Sequence, residues 1–223
     1  MSVHRAAARL EDPGAELLDR ATGAWDRYGR IALISLAALA VAGTLVFLTM
    51  RSRAASEEQA AGRLAEANVL FWQGEYARSQ TLALQVAQQF PSTPSGIDAH
   101  RLAGDDAYWQ GDFKTAVQEY KAYLDKHGSG ILADAVRRSN AYALESNRQF
   151  ADAAKAYEAL IGVFDRESSG EFLAAAARSQ RLAGNTAEAK KLLERLVGEF
   201  GETSYAVLAR VQLAELNAAT SSR

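Results

Sequence analysis

A three-residue phrase returns at nearly constant spacing along this chain, and that periodicity restricts the fold more than any other feature. It reads Gly74-Glu75-Tyr76, Gly111-Asp112-Phe113, Arg148-Gln149-Phe150 and Gly184-Asn185-Thr186, so its third residues lie 37, 37 and 36 positions apart. Other columns keep the register. Seven residues before each opener stands a small residue (Ala67, Gly104, Ala141, Ala177), and Ala214 continues the series. Five residues after it come Ser79, Ala116, Ala153 and Ala189, and sixteen after it Phe90, His127, Phe164 and Phe200. A fixed period of this length means stacked copies of one supersecondary unit, none of which buries its apolar face alone.

Each unit reads as two helices. In the second, IDAHRLAGDDAYWQ is followed by DFKTAVQEYKAYLDKH, with Gly111 free to take a left-handed conformation between them. Phe113, Ala116, Val117, Tyr120 and Leu124 recur at helical spacing, as do Phe150, Ala153, Tyr157, Leu160 and Ile161 in the third unit. Breaks fall at FPSTPSG, HGSG, RESSG and GET, and runs of β-branched residues with period two are absent, so no strand is expected. The small columns mark places where two helices approach closely, and the aromatic column is expected to fill the gap between hairpins.

Small-residue columns, a Gly-Asp-Phe turn, an alanine five residues after the glycine and a tyrosine four further on resemble tetratricopeptide repeats. The resemblance covers about residues 57–217: four units and a capping helix from Ser204 to Asn217. It implies an all-α fold, an α-solenoid of helical hairpins occupying residues 51–223. Arg148 in place of the turn glycine, Thr186 in place of the aromatic and Ser79 in place of alanine depart from the pattern. The linker phrases FPSTPSG and FGETS resemble envelope tetratricopeptide proteins such as the cell-division coordinator and the outer-membrane assembly lipoprotein. With its anchor, the layout is most similar to the ancillary subunit of the SecYEG translocon.

That anchor is the run from Ile31 to Met50, twenty residues without a charge. As a helix it spans about 30 Å, the thickness of a bilayer's hydrocarbon core. Arg27 and Arg30 flank one end, Arg51 and Arg53 the other, and Trp25 and Tyr28 stand where interfacial aromatics belong. A cleaved signal peptide would have a shorter apolar stretch and a small-x-small site after it. A buried core helix would show a polar stripe. Neither pattern is present, so residues 31–50 read as a retained transmembrane helix. Arg5, Arg9, Arg20, Arg27 and Arg30 precede it and Arg51, Arg53 and Arg63 follow, a lean toward a cytoplasmic N-terminus. The C-terminal domain would then be periplasmic, on the inner membrane of a bacterium. Residues 1–30 read as a tail in which Asp12-Pro13 resembles a helix start; a short interfacial helix and a frayed end are both open.

Composition narrows the chemistry. Lys plus Arg is 25 against 27 Asp plus Glu, a formal charge of −2, which argues against nucleic acid as a partner. There is no cysteine, and His4, His100 and His127 are widely separated, so thiolate or histidine metal sites are not expected. Asp105-Asp106 and Glu57-Glu58 are adjacent on helices and point about 100° apart, which does not make a catalytic pair. No phosphate loop, HExxH or GxSxG occurs. Neither an enzyme nor a cofactor is indicated.

The concave side of such a solenoid is lined by the first helix of each hairpin. In this register the inward candidates are Asn68, Phe71 and Trp72; Arg101, Asp105, Tyr108 and Trp109; Arg138 and Tyr142; Arg178 and Arg181. One reading is a groove for a partner segment, with Trp72, Trp109 and Tyr142 as apolar anchors and the arginines pairing carboxylates. The other makes the tryptophans hairpin core and the arginines a solvated face. Partners are therefore other proteins, and the bilayer through residues 31–50. The function expected is a membrane-anchored interaction module tied to protein translocation or envelope biogenesis. The alternative is a permanent accessory subunit of a respiratory, photosynthetic or secretion complex.

Overall fold

The computed structural model describes residues 13–221, so the Asp12 cap, Arg5, Arg9 and His4 lie outside the described residues. The described chain is helical and holds no strand. Its elements are α1 (Pro13–Trp72), α2 (Tyr76–Gln89), α3 (Pro94–Trp109), α4 (Phe113–Lys126), α5 (Ile131–Ser146), α6 (Phe150–Glu158), α7 (Arg166–Leu182), α8 (Thr186–Glu199) and α9 (Ser204–Ser221). The contacts divide the chain into two compact units, Met1–Ala54 and Ala55–Arg223.

In the first unit α1 begins at Pro13, whose fixed φ suits a first helical turn. Its large apolar side chains, among them Ile31, Ile34, Leu39, Val46 and Met50, are exposed on all sides. Thr44 and Thr49 turn their hydroxyls onto the carbonyls of Ala40 and Val46 at 2.8 Å, so each satisfies itself on the helix's own backbone. The helix is long and apolar enough to cross a membrane by length and composition. The Trp25 ring lies against Gly29, where an added Cβ would stand 3.1 Å from it.

The second unit is a stack of hairpins, and its turns explain the period. All four openers have positive φ: Gly74 (79°), Gly111 (81°), Arg148 (62°) and Gly184 (86°). Each turn repeats the same pair of bonds. The opener's N–H donates to the carbonyl three residues back, and the next N–H reaches five residues back, as in Gly111 to Tyr108 at 3.0 Å and Asp112 to Ala107 at 2.9 Å. This is a Schellman closure, which satisfies the last carbonyls of the first helix. The residue after the opener then accepts the first bond of the second helix. Arg148 keeps the geometry without being glycine, at the steric cost of a left-handed L-residue.

The small columns are buried as expected. Ala67, Ala141 and Ala177 are in the core opposite Ser79, Ala153 and Ala189. At Gly104 the approach is closest: a Cβ there would fall 2.7 Å from two carbons of the Tyr120 ring. Successive hairpins share the core. Ala60, Leu64 and Ala67 of α1 pack with Val86 of α2 and Leu102 of α3, Tyr120 and Tyr123 of α4 with Val136 of α5, and Tyr157 of α6 with Phe172 and Leu173 of α7. A carboxylate also links one unit to the next. Glu57 accepts from the backbone N–H and hydroxyl of Ser95 at 3.1 and 2.6 Å, and Glu167 does the same for Ser204.

Three expectations are corrected. Ile161 does not extend α6, which ends at Glu158. Beyond it Leu160 and Val163 bond carbonyls three residues back, and Gly162 takes φ 80° with its N–H donated to the Ser169 hydroxyl at 3.0 Å. Tight turns replace the last helical turn while Leu160 stays fully buried. The aromatic column is only partly core: Phe200 is buried, Phe90 and Phe164 are half-buried, and His127 is exposed beside Tyr123. Ala214 is exposed, and α9 runs to Ser221 rather than Asn217. Its inner face, Ala206 and Ala209, is buried, whereas its outward face carries exposed Val207 and Val211 where a solenoid cap is ordinarily polar.

Candidate protein-interaction groove

The first helices of neighbouring hairpins touch each other, α3 with α5 and α7 with α9, in addition to their sequential neighbours. The first helices of such a solenoid line its concave side, which makes their free faces the candidate groove. A pocket of about 180 Å³ opens between α3, α4 and α5, lined by Asp105, Tyr108, Trp109, Tyr120, Ser139 and Tyr142. A second, of about 270 Å³, lies between α7, α8 and α9, with Glu171, Arg178, Tyr205 and Leu208 on its wall. Four of the sequence candidates, Asp105, Tyr108, Trp109 and Tyr142, meet in the first pocket, and Arg178 reaches the second.

Hydrogen bonds hold these side chains in place. Asp105 accepts from the Tyr120 hydroxyl at 2.8 Å and from Arg101 at 2.9 Å, and Arg101 grips Asp98 through two nitrogens at 2.6 and 2.9 Å. Burial pushes the Asp105 carboxyl above its ordinary range, and Arg101 and Tyr120 offset only part of that. One hairpin further on, Glu145 accepts from Tyr157 at 2.7 Å and from Arg178 at 2.6 and 2.8 Å. Burial works to raise Glu145, but the Arg178 and Tyr157 bonds outweigh it and hold its pKa below the usual value. The Tyr142 hydroxyl donates to Glu171 at 2.7 Å, which ties the first pocket to the second. Burial and that carboxylate both push the Tyr142 phenol upward.

The remaining candidates fall into two groups. Trp72 and Trp109 are 83% and 62% exposed, so the hairpin-core reading does not hold for either ring. Trp109 stacks one face on Tyr76, with centroids 6.1 Å apart and planes 13° apart, and Phe71 meets both Trp72 and Tyr76 edge-on. Among the arginines, Arg101 and Arg178 are paired as above, Arg138 lies over the Phe164 ring at 5.4 Å, and Arg181 is exposed near the end of α7. Asn68 donates its amide to the Leu64 carbonyl at 2.9 Å. On α1, Arg27, Arg30, Arg51 and Arg53 are exposed, as are Trp25 and Tyr28. The adjacent acids do diverge: Asp105 faces the groove, while Asp106 is fully buried against Ser79. His100 pairs with Glu119 across α3 and α4 at 2.7 Å. No group of three or more acids and histidines placed to hold a metal occurs among the described residues.

Tyr120, Ser139 and Glu171, which line the two pockets, Glu145, which holds Arg178, and Tyr157, which bonds Glu145, are not among the sequence candidates. Tyr120 and Tyr157 occupy equivalent positions nine residues after their turn openers, and their apolar spacing reads as core. The ring bodies are indeed buried; the Tyr120 hydroxyl reaches the first pocket, and the Tyr157 hydroxyl bonds Glu145.

Residues 175–203 match the tetratricopeptide repeat family profile. No curated protein matches the chain significantly. Among solved structures, the chain is similar to a Podosopora anserina protein described as a kinesin light chain with nearly identical TPR-like repeats. The TM-score is 0.56 at 19% identity, covering 75% of this chain and 89% of that one. A single-substitution variant of the same protein aligns with a TM-score of 0.56 at 18% identity, over 75% and 89% of the two chains. The repeat fold is thereby shown: an all-α solenoid of tetratricopeptide-like hairpins, a scaffold that typically binds other proteins.

Proposed function

We propose that this tetratricopeptide-repeat chain is a membrane-anchored, non-catalytic adaptor whose first-helix groove binds a segment of another protein. Residues 31–50 of α1 hold it in the bilayer, with Arg27, Arg30, Arg51 and Arg53 at the headgroups and Trp25 and Tyr28 at one interface. The N-terminus lies in the cytoplasm and the repeat domain in the periplasm of a bacterial cell, serving protein translocation or envelope biogenesis. One observation carries the groove assignment. Arg101, Arg138 and Arg178 are consumed by internal carboxylates or a ring, whereas Trp72 and Trp109 stay open to solvent, and exposed aromatics on a rigid frame are what interface hot spots are made of.

A second reading, a fixed subunit of a larger membrane complex, is favoured by the outward apolar face of α9 at Val207 and Val211. Purification of the tagged full-length chain in mild detergent, followed by mass spectrometry, separates the two. Substoichiometric translocon components, chaperones or secretory clients support the adaptor. A constant set of membrane subunits at fixed ratio supports the structural subunit. A chain that purifies alone and elutes from membranes at alkaline pH contradicts both.

A further inference from the structure

The groove pocket between α3, α4 and α5 is walled by the rings of Tyr108, Trp109 and Tyr142 and by the Tyr120 hydroxyl, and carries one carboxylate, Asp105, with no base among its lining side chains. Around that carboxylate the charges do not cancel. Arg101 is shared between Asp98 and Asp105, so two acids face one guanidinium. Ring faces are negative, and a cation set over them in a partly dry site gains from every face it meets. The domain already uses this contact elsewhere: Arg63, Arg138 and Arg166 lie over Phe90, Phe164 and Phe200 at 5.9, 5.4 and 4.9 Å. The Tyr108, Trp109 and Tyr142 rings have no such arginine over them among the described residues.

The rings are also held in advance. The Tyr120 hydroxyl is fixed on Asp105, the Tyr142 hydroxyl on Glu171, Tyr108 meets Phe113 edge-on, and Trp109 stacks on Tyr76. An entering group therefore orders little that is not already ordered. The Asp105 oxygens each accept one bond, and each has a further lone pair with which to accept another.

We infer that this pocket is the site of a basic side chain of the partner protein, arginine in first place, held between the aromatic rings and the Asp105 carboxylate. Arginine fits better than lysine because its planar guanidinium stacks on ring faces and bonds a carboxylate through two nitrogens. The volume of about 180 Å³ leaves room for one such head group and not for a folded segment. This inference rests on the adaptor reading and adds the chemistry of the residue that the groove selects.

The test uses the full chain in detergent with Trp25 and Trp72 replaced by phenylalanine, which leaves Trp109 as the indole reporter. Its fluorescence is titrated with three capped tripeptides, Gly-X-Gly, in which X is arginine, citrulline or glutamate. Citrulline copies the shape of arginine without its charge. The arginine peptide should bind saturably and about tenfold more tightly than citrulline, with glutamate weaker still. Asp105→Asn should remove about tenfold of that preference. Because Asp105 anchors Tyr120 and Arg101, Tyr142→Leu serves as a second variant that leaves those bonds intact; it too should weaken arginine binding, with helicity checked by circular dichroism. Equal binding of citrulline, tighter binding of glutamate, or no saturable change in the folded chain overturns the inference. Cross-linking of a partner from position 72 or 181 in the same chain would show that the groove reading survives such a failure.

Discussion

The Ser79 hydroxyl lies 2.7 Å from Asp106 Oδ2 and 2.9 Å from the Ala67 carbonyl, deep in the junction of α1, α2 and α3. One hydroxyl proton cannot satisfy two acceptors, and Asp106 Oδ1 has no hydrogen-bond partner at all. A protonated Asp106 resolves the conflict: it donates to Ser79, which donates to Ala67. Burial pushes the Asp106 carboxyl up to about 7, consistent with that arrangement.

The sign of the pH dependence follows. Below about pH 4 the carboxyl is protonated in both folded and unfolded chains. As pH rises toward 7 the unfolded chain releases this proton while the folded one keeps it, so stability falls across that window. Asp106→Asn carries no charge to desolvate and should flatten the slope, leaving the variant roughly 1–2 kcal/mol more stable relative to the parent at pH 8 than at pH 5. Urea denaturation at the two pH values measures it. Glu145, held low by Arg178 and Tyr157, loses its contribution only at more acidic pH and leaves this window undisturbed.

Arg148 holds φ 62° at a turn where the other three openers are glycine. A left-handed L-residue costs about 1–2 kcal/mol, and the extra freedom of glycine in the unfolded chain takes back part of that. Arg148→Gly should therefore stabilise the domain by about 0.5–1 kcal/mol, read as a rise in denaturation midpoint. A loss would mean that the Arg148 side chain makes a contact worth more than the strain.

Gly104 tests the close approach of α3 and α4. An exposed helical glycine is normally improved by alanine, by about 1 kcal/mol. Here the added Cβ would stand 2.7 Å from the Tyr120 ring, whose hydroxyl is fixed on Asp105. Gly104→Ala should instead destabilise by about 1–3 kcal/mol, as should Ala153→Leu at the buried small position of α6. Thermal denaturation of either variant decides the sign.

Absence of cysteine makes the orientation testable with single introduced thiols. Lys121 on α4 and Arg27 on α1 are both exposed. In spheroplasts, Lys121→Cys should react with a membrane-impermeant maleimide and Arg27→Cys should not until the membrane is opened. The reverse pattern would place the repeat domain in the cytoplasm.

Much of this architecture is legible in the residues. The turn openers and the small columns follow from periodicity, because each hairpin meets its neighbours through the same positions. Asp105, Tyr108, Trp109 and Tyr142 come together for that reason. What periodicity misses is what a side chain's tip does. Tyr120 and Tyr157 read as core because their rings are core, and nothing in their spacing tells that their hydroxyls bind Asp105 and Glu145. The end of α6 is hidden for a related reason: past Glu158 the chain turns tightly, and Gly162 gives its N–H to the hydroxyl of Ser169, seven residues on. The apolar outer face of α9 was equally invisible, since a column of alanines continues through Ala214 whether or not anything covers it.

The adaptor account depends on the groove being where a partner binds, and site-specific cross-linking reads this most directly. A photoreactive benzophenone amino acid is placed at Trp109 in the groove and, in a second chain, at Lys121, an exposed position of the second helix α4. The account predicts a discrete cross-linked product with another protein from position 109 in intact cells, lost when Tyr142 is replaced by leucine, and none from position 121. Equal products from both positions, or a product from position 121 alone, would contradict it.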